Sequence, residues 1–275
     1  MRYGRLVVHG LLILYALILA YVIGGLIFKY NVPVDYFFDL SFALLFFALG
    51  QAVYEIGVTK AAYFLGITFF VGYAVEILGT STGFPFGKYY YGNFLGEMAF
   101  GVPIVVPFVW FVIAYLTFSM TFGKYGKIDR RSLALLLSLA AFGAVAWDLL
   151  VDPMFSTYGY WIWEISPSTP ALSGVPLTNF IGWFVVAFLM LALFVKLSHK
   201  GVYSNPIRKR NTQDSIIVYI LLMIDAAVAN GTLSHYLVIA IGVFAMSSFV
   251  VVTFYLNKNK LVNKDSTKLG GPHAD

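Results

Sequence analysis

Long apolar runs separated by short basic segments are the feature that most constrains the fold of this chain. Runs of about 18 or more apolar residues recur along its 275 residues, and about 20 such residues cross the hydrocarbon core of a bilayer as a helix. Only 11% of the residues are charged, whereas soluble domains usually carry about 25%. The sequence therefore predicts an all-α protein, a polytopic bundle of transmembrane helices.

The apolar runs predict about eight spans. They lie at about 6–28, 37–56, 60–78, 103–122, 133–150, 176–198, 214–230 and 235–256. The first run is too long for the core of a signal peptide and lacks a small-x-small cleavage site, so we expect a retained helix. Residues 1–256 would then form a single integral membrane domain, and residues 257–275 a disordered cytoplasmic tail.

The basic residues predict how the chain is oriented. All lysines and arginines except Lys29 and Lys88 fall at the N-terminus, in alternate loops or in the C-terminal tail. The positive-inside rule therefore puts both termini of this multi-pass cell-membrane protein in the cytoplasm, and the long loops 79–102 and 151–175 outside. This topology explains the net charge of +5 without a nucleic-acid partner, and we expect membrane lipid as the surrounding partner.

The two long loops share a sequence pattern. Gly-Val-Pro occurs at 101–103 and again at 174–176, and the same shift takes Trp110 onto Trp183. This indicates an internal parallel repeat of helix–aromatic loop–helix units, each proline standing in the first turn of a helix, where it is well tolerated. The units would cover about 60–122 and 133–198. The alternative is that two unrelated hairpins share similar helix starts.

Three acidic residues fall at the outer ends of predicted spans, and these are the predicted catalytic residues. Glu76 ends the third span, and Asp148 and Asp152 end the fifth, four residues apart on one helical face, with Pro153 expected to end the helix. A charge within the hydrocarbon costs roughly 2.5–3.5 kcal/mol, so an acid there suggests function. Burial and mutual repulsion favour the protonated form of one carboxyl, so that an acid and a base can coexist.

Each acid also has a structural alternative. Glu76 could pair with Lys88 or a tyrosine hydroxyl and hold the loop in place. Asp152 could hydrogen-bond the loop backbone, and Asp148 could bond to a neighbouring helix.

Aromatic side chains crowd the two outer loops, and we predict that they bind substrate. Aromatic faces also stabilise cations. The predicted substrate-binding residues are Tyr89, Tyr91, Trp147, Tyr158, Tyr160, Trp161, Trp163 and Asn179. The alternatives are an interfacial aromatic belt with no ligand and, for Asn179, a structural hydrogen bond between helices.

The other polar residues give weaker indications. Glu55, Glu97 and Glu164 are expected near interfaces where solvent reaches them, and Asp225 is expected to pair with a neighbouring helix. The chain has no cysteine and only four scattered histidines. Their spacing matches no metal-binding motif, and no phosphate-binding loop appears, so we expect neither a metal nor a cofactor.

Residues 70–190 resemble a known family, the carotenoid hydratases of the CruF type, including its archaeal bacterioruberin-type members. The resemblance rests on four segments of the sequence. They are Glu76-Ile-Leu-Gly-Thr-Ser-Thr-Gly-Phe-Pro-Phe-Gly-Lys-Tyr-Tyr-Tyr, Gly101-Val-Pro, Trp147-Asp-Leu-Leu-Val-Asp-Pro-Met with Gly159-Tyr-Trp-Ile-Trp, and Gly174-Val-Pro-Leu-Thr-Asn-Phe-Ile-Gly-Trp183.

This resemblance implies a hydro-lyase that adds water across the terminal double bond of an acyclic carotenoid, giving a tertiary alcohol. In the mechanism expected from the residues, Asp152 or Asp148 protonates the alkene, and Glu76 activates the water. Trp147, Tyr160 and Trp161 would surround the tertiary carbocation. Carotenoid, water and other carotenoid-biosynthesis enzymes would be the partners.

Two other functions are compatible with the sequence. A membrane carotenoid cyclase of the lycopene type would use the same protonation but quench the cation with an internal double bond. A non-enzymatic carrier or channel would use the acids as a proton or ion relay.

Overall fold

The computed structural model describes residues 2–30, 36–122, 130–198 and 212–266, and most of these lie in eight helices. The helices are α1 (Arg2–Phe28), α2 (Tyr36–Ile56), α3 (Val58–Thr82), α4 (Val106–Phe122), α5 (Arg130–Thr157), α6 (Leu177–Leu197), α7 (Thr212–Thr232) and α8 (Tyr236–Ser266). Each predicted span corresponds to one helix. Six helices are long and apolar enough to cross a membrane, whereas α4 and the apolar part of α2 are shorter. The predicted helical membrane bundle is confirmed.

Helix α4 lies at the centre of the bundle. Every residue from Trp110 to Phe122 is buried, and the helix contacts α2, α3, α5 and α7. It carries no charged residue, and a helix that is apolar on all sides is expected to be enclosed by other helices. Because α3 and α5 pack against this common neighbour, their predicted catalytic ends are held beside one another.

Helix α5 continues past Pro153 to Thr157, so the predicted helix end at the proline is wrong. Proline inside a helix removes one backbone hydrogen bond. The turn after it is held in another way, because the Thr157 hydroxyl donates a hydrogen bond to the Pro153 carbonyl over 2.8 Å. Asp148 and Asp152 therefore lie one regular helical turn apart on the same face.

The two long loops contain six short strands that form three antiparallel pairs. The strands are β1 (Tyr89–Tyr91), β2 (Met98–Ala99), β3 (Val102–Pro103), β4 (Trp161–Trp163), β5 (Ala171–Leu172) and β6 (Val175–Pro176). Strands β2 and β3 form one hairpin and β5 and β6 another, whereas β1 pairs with β4. The last pair joins the two loops into one structure.

The Val-Pro part of each Gly-Val-Pro segment forms a strand. Pro176 is followed directly by α6, whereas α4 begins at Val106, three residues after Pro103. Each hairpin turns through two residues with positive φ, 52° and 77° at Phe100 and Gly101, and 45° and 85° at Ser173 and Gly174. Positive φ at both central residues is typical of the type I′ turn, which brings the chain straight back as a strand. The prediction that Pro103 stands in the first helical turn is therefore wrong. The hairpins occupy equivalent positions, but the internal repeat itself stays a prediction.

Helix α8 extends to Ser266, so the disorder predicted from Asn257 onward is wrong over that stretch. Asn257 is buried, and its amide donates a hydrogen bond to the Met120 carbonyl over 2.9 Å. This contact anchors the helix to the centre of the bundle. The rest of the predicted tail, 267–275, lies outside the described residues, as do the basic loops 123–129 and 199–211.

Candidate active site

Glu76 lies near the C-terminal end of α3 and accepts three hydrogen bonds. The Tyr89 and Tyr91 hydroxyls both donate to its Oε2 atom, the second over 2.7 Å. The indole N–H of Trp110, from α4, donates to Oε1 over 2.8 Å. The residue is only 4% exposed. Three donors on one carboxyl are the arrangement that stabilises a buried carboxylate.

The partner of Glu76 is therefore a pair of tyrosines, one of the two structural alternatives that the sequence left open. Lys88, the other alternative, pairs with Glu164 over 2.8 Å at the exposed edge of the loops. Hydrogen bonding to Glu164, and then its charge, raise the pKa of the Lys88 ammonium. The Glu164 N–H also donates to the Lys88 carbonyl over 2.8 Å, so these residues join the outer ends of β1 and β4.

Asp148 and Asp152 of α5 form a pair of carboxyl groups, which Asn179 of α6 joins. The amide nitrogen of Asn179 donates to Asp148 Oδ2 over 2.9 Å and to Asp152 Oδ2 over 2.5 Å. Asp152 Oδ1 accepts two further bonds, from the indole N–H groups of Trp161 (2.5 Å) and Trp163 (3.1 Å). Both aspartates are almost fully buried. Asp152 thus receives three donors, whereas Asp148 receives one.

The sheet formed by β1 and β4 places all four of these aromatic donors on one face. Tyr89 lies opposite Trp163, and Tyr91 opposite Trp161. Because side chains alternate along a strand, these four point toward the acids while Tyr90 between them is exposed. Burial, and then the charge of Glu76, raise the pKa of the Tyr89 and Tyr91 hydroxyls well above their usual value. Both hydroxyls therefore remain proton donors.

All three acids face one cavity of about 440 Å³, a volume typical of a small-molecule site. Every predicted site residue lines it. They are Glu76, Tyr89, Tyr91, Trp147, Asp148, Asp152, Tyr158, Tyr160, Trp161, Trp163 and Asn179. Within the described part of the chain, no three His, Asp or Glu side chains are grouped so as to hold a metal ion. The structure thus brings the predicted residues together, and their chemical roles stay predictions.

Two tryptophans of the cavity wall, Trp110 and Trp183, are not among the predicted site residues. Trp110 and Trp183 stack with their ring centroids 3.9 Å apart, and Trp183 also contacts Trp147, at 5.8 Å. The shift that relates the two loops maps Trp110 onto Trp183. That signal was present in the sequence, but it indicated only a repeat and not a shared wall.

Asp225 of α7 also lines the cavity, and the prediction that it pairs with a neighbouring helix is wrong. Among the described residues it has neither a hydrogen-bond partner nor an ion-pair partner. The Tyr15 hydroxyl of α1 lines the same cavity and interacts with Asp225 electrostatically, but no hydrogen bond joins the two groups.

Glu55 is buried, so the prediction that solvent reaches it is wrong, whereas Glu97 and Glu164 are exposed as expected. The Tyr115 and Ser119 hydroxyls of α4 donate to Glu55 Oε2 over 2.8 and 2.9 Å. Because α4 is enclosed, these hydroxyls have to find acceptors inside the bundle. Glu55 is not part of the cavity wall, and these contacts tie α2 to α4.

Comparison with known proteins places the chain in a family. Residues 36–251 match the family described as "Carotenoid biosynthesis protein". The bisanhydrobacterioruberin hydratase of Haloarcula japonica is 34% identical over 126 residues, which is 44% of this chain and 40% of that protein. The match therefore spans less than half the length of this relative, and no solved structure matches the chain. Because the family match runs from α2 into α8 and includes every predicted site residue, the chain belongs to the carotenoid biosynthesis protein family.

Proposed function

We propose that this protein is a carotenoid hydratase, which adds water to the terminal carbon–carbon double bond of an acyclic carotenoid. The observation that carries the proposal is the buried pair Asp148 and Asp152, joined by Asn179 at the wall of an aromatic cavity. Paired carboxyl groups can supply one acid and one base. The name of the Haloarcula relative, a hydratase, supports the same chemistry.

Asp148 is the acid in this proposal because one of its two carboxyl oxygens accepts no hydrogen bond from a described residue. Asn179 donates to Asp148 Oδ2, and no described residue donates to Oδ1. Asp152 by contrast receives three N–H donors, and such donors favour the ionised form of a carboxyl group. Asp148 can therefore present a proton to the cavity while Asp152 acts as the base.

The addition of water then proceeds in two steps. The Asp148 carboxyl transfers its proton to the less substituted alkene carbon, forming a C–H bond, and the broken π bond leaves a tertiary carbocation. Water attacks the cation and forms the C–O bond, while Asp152 accepts the proton that this water releases. Asp152 returns the proton to Asp148, one helical turn away, so the net change is the gain of one water molecule.

The carbocation between these steps would be stabilised by the walls of the cavity. Trp147, Tyr160 and Trp161 supply aromatic faces, which attract cations. Glu76, held as a carboxylate by its three donors, supplies a fixed negative charge where positive charge develops. In this proposal Glu76 stabilises the cation, whereas the sequence suggested that it activates the water.

The substrate would reach the site from the membrane. Six helices are long and apolar enough to cross a membrane, and an acyclic carotenoid dissolves in the surrounding lipid. With both termini in the cytoplasm, as the basic residues indicate, the cavity lies near the outer leaflet. Other carotenoid-biosynthesis enzymes would supply the alkene and use the alcohol.

Expression in a host that makes acyclic carotenoids tests the proposal. We expect pigments whose mass is increased by one water per reacted end. An isomer of unchanged mass would indicate a cyclase, and unaltered pigment would favour a carrier or channel.

Substitution of the proposed acid tests the mechanism in the same host. Asp148→Asn should lower the hydration rate by at least about 100-fold, the usual contribution of general acid catalysis. Glu164→Gln, at an exposed acid outside the cavity, is the matched control and should retain the full rate. A fully active Asp148→Asn variant would contradict the assignment of the acid.

A further inference from the structure

The cavity extends to the side of the bundle, between the N-terminal part of α2 and the start of α4. Phe42 of α2 and Ile104, two residues before α4, both line the cavity and are nevertheless 51% and 45% exposed. Side chains that line a cavity and are also about half exposed lie at its mouth. The wall beside them is mostly apolar, with Leu40, Leu44 and Leu45 from α2 and Val105, Phe108 and Val109 from the other side.

Glu97 indicates the depth at which this mouth lies. It is exposed, it lines the same cavity, and its carbonyl accepts a hydrogen bond from the Ile104 N–H over 3.0 Å. A charged side chain on the surface of the bundle stays out of the hydrocarbon, so this edge of the mouth lies at the lipid headgroups. Phe42 follows the start of α2 at Tyr36 by about 9 Å along the helix. The mouth therefore reaches from the headgroups into the hydrocarbon.

The hydrogen bonds that tie α2 to the bundle lie away from the mouth, near the C-terminal end of the helix. Glu55 accepts a bond from the Tyr115 hydroxyl of α4 over 2.8 Å, and Gln51 donates one to Ser215 of α7 over 2.7 Å. Between Leu40 and Leu45, no hydrogen bond between described residues reaches another helix. A hydrocarbon chain can replace apolar contacts between helices at little cost, because lipid tails are as apolar as leucine.

We propose that this opening between Phe42 and Ile104 is a lateral portal, through which the polyene of the carotenoid passes between the cavity and the lipid. The acids lie inside a cavity of about 440 Å³, a volume that suits a small molecule. The end group of a carotenoid fits this space, whereas the polyene is many times longer and has to extend out of it. The apolar edges of the portal match a chain without polar groups. This inference rests on the proposed function for the identity of the ligand.

The second hairpin supplies a matched control position for Ile104. Ile104 and Leu177 each follow the proline of their hairpin, and each donates its backbone N–H across that hairpin, over 3.0 and 2.9 Å. Leu177 is 46% exposed, close to the value for Ile104, but it is not part of the cavity wall. The two positions therefore have the same local structure and differ in their relation to the portal.

Thiol labelling tests the portal without requiring turnover, because the chain contains no cysteine. The variants Ile104→Cys and Ser41→Cys place one thiol on either side of the portal, and Leu177→Cys is the control. Each full-length variant in lipid vesicles reacts with a lipid-soluble fluorescent maleimide, with and without lycopene, an acyclic carotenoid. With lycopene at about ten times its Kd, we expect labelling of both portal variants to be roughly tenfold slower and labelling of Leu177→Cys to be unchanged.

The attached label should also block the portal. In membranes, labelled Ile104→Cys and labelled Ser41→Cys should lose the hydration activity that the same variants show before labelling. Labelled Leu177→Cys should keep its activity. The two portal variants lie on different segments of the chain, so either one tests the inference if the other fails to accumulate.

Labelling of the portal variants at the same rate with and without lycopene would overturn the inference, and so would full hydration activity after they are labelled. Equal protection of Leu177→Cys would also overturn it, because lycopene would then act through the lipid in general. If lycopene protects only the portal thiols but the wild-type protein forms no hydrated pigment, the proposed function fails and the portal stands.

Discussion

Tyr91 and Trp161 lie opposite each other in the sheet of β1 and β4, and each donates a hydrogen bond to a different buried acid. Tyr91 donates to Glu76 over 2.7 Å, and Trp161 donates to Asp152 over 2.5 Å. The two rings meet edge to face, with centroids 6.2 Å apart. A single cross-strand pair therefore positions carboxyl groups that come from two different helices.

Removal of the Trp161 N–H should impair Asp152 without disturbing the sheet. In Trp161→Phe the ring still stacks on Phe155, at 5.1 Å in the native protein, while Asp152 loses one of its three donors. Bonds to charged groups contribute about 1.5–3 kcal/mol, so we expect the hydration rate in membranes to fall about 10- to 100-fold. The adjacent Ile162→Val, on the outward face, should leave the rate unchanged. Equal hydration rates for the wild-type protein, Trp161→Phe and Ile162→Val would show that Asp152 needs no fixed orientation.

Glu76→Gln should fold but lose most of its activity. The glutamine oxygen can accept from Trp110, which only donates, and the new amide can donate to the Tyr89 and Tyr91 hydroxyls, which can also accept. The negative charge beside the cation is lost, and we expect a rate reduction of about 100-fold with nearly unchanged thermal unfolding in detergent. An active variant would mean that Glu76 only holds the loop, and an unfolded one would mean that its charge is needed for the fold.

Gly79→Ala should displace Tyr89 from Glu76. A Cβ atom at this position would lie 2.9 Å from the Tyr89 hydroxyl and 3.0 Å from the Phe86 ring, which is too close for either to stay in place. We expect the hydration rate to fall by about tenfold or more, since one donor to a charged group is lost. Gly66→Ala, on the same helix with nothing within 4 Å, is the control. It should be fully active and no less stable, because alanine favours a helix.

The tyrosines of β1 should make the protein sensitive to alkali. Their pKa is raised by burial and by the charge of Glu76, so the folded state holds their protons more tightly than the unfolded state, whose tyrosines ionise near pH 10. This stability is present below about pH 10 and is lost as the pH rises further. In a titration followed by tyrosinate absorbance, Tyr89 and Tyr91 should ionise only on unfolding. The variant Tyr89→Phe/Tyr91→Phe should lose absorbance from this late phase alone. A loss from the early phase would contradict the burial of these hydroxyls.

The sequence predicted the helices and the three acids because both depend on local patterns. Apolar runs define spans by length alone, and the cost of charge in lipid made Glu76 and Asp148 conspicuous. The pairing of β1 with β4 could not be predicted in this way, because it joins strands from two loops separated by two helices. No local pattern specifies which strands meet.

The remaining differences also come from tertiary contacts. Pro153 is tolerated because the following turn has its own hydrogen bonds. Glu55 can be buried because the Tyr115 and Ser119 hydroxyls of α4 donate hydrogen bonds to its carboxyl group. Asp225 lies within an apolar span, which suggested a pair between helices, but its side chain lines the cavity.

The source of the new oxygen tests the central claim most directly. Membranes containing the protein are incubated with an acyclic carotenoid in water labelled with heavy oxygen, and the extracted pigment is analysed by mass spectrometry. We predict that the product carries one labelled tertiary hydroxyl per reacted end, and that Asp148→Asn membranes form it at least about 100-fold more slowly. A product without labelled oxygen, or a labelled product formed equally by the Asp148→Asn variant, would contradict the account.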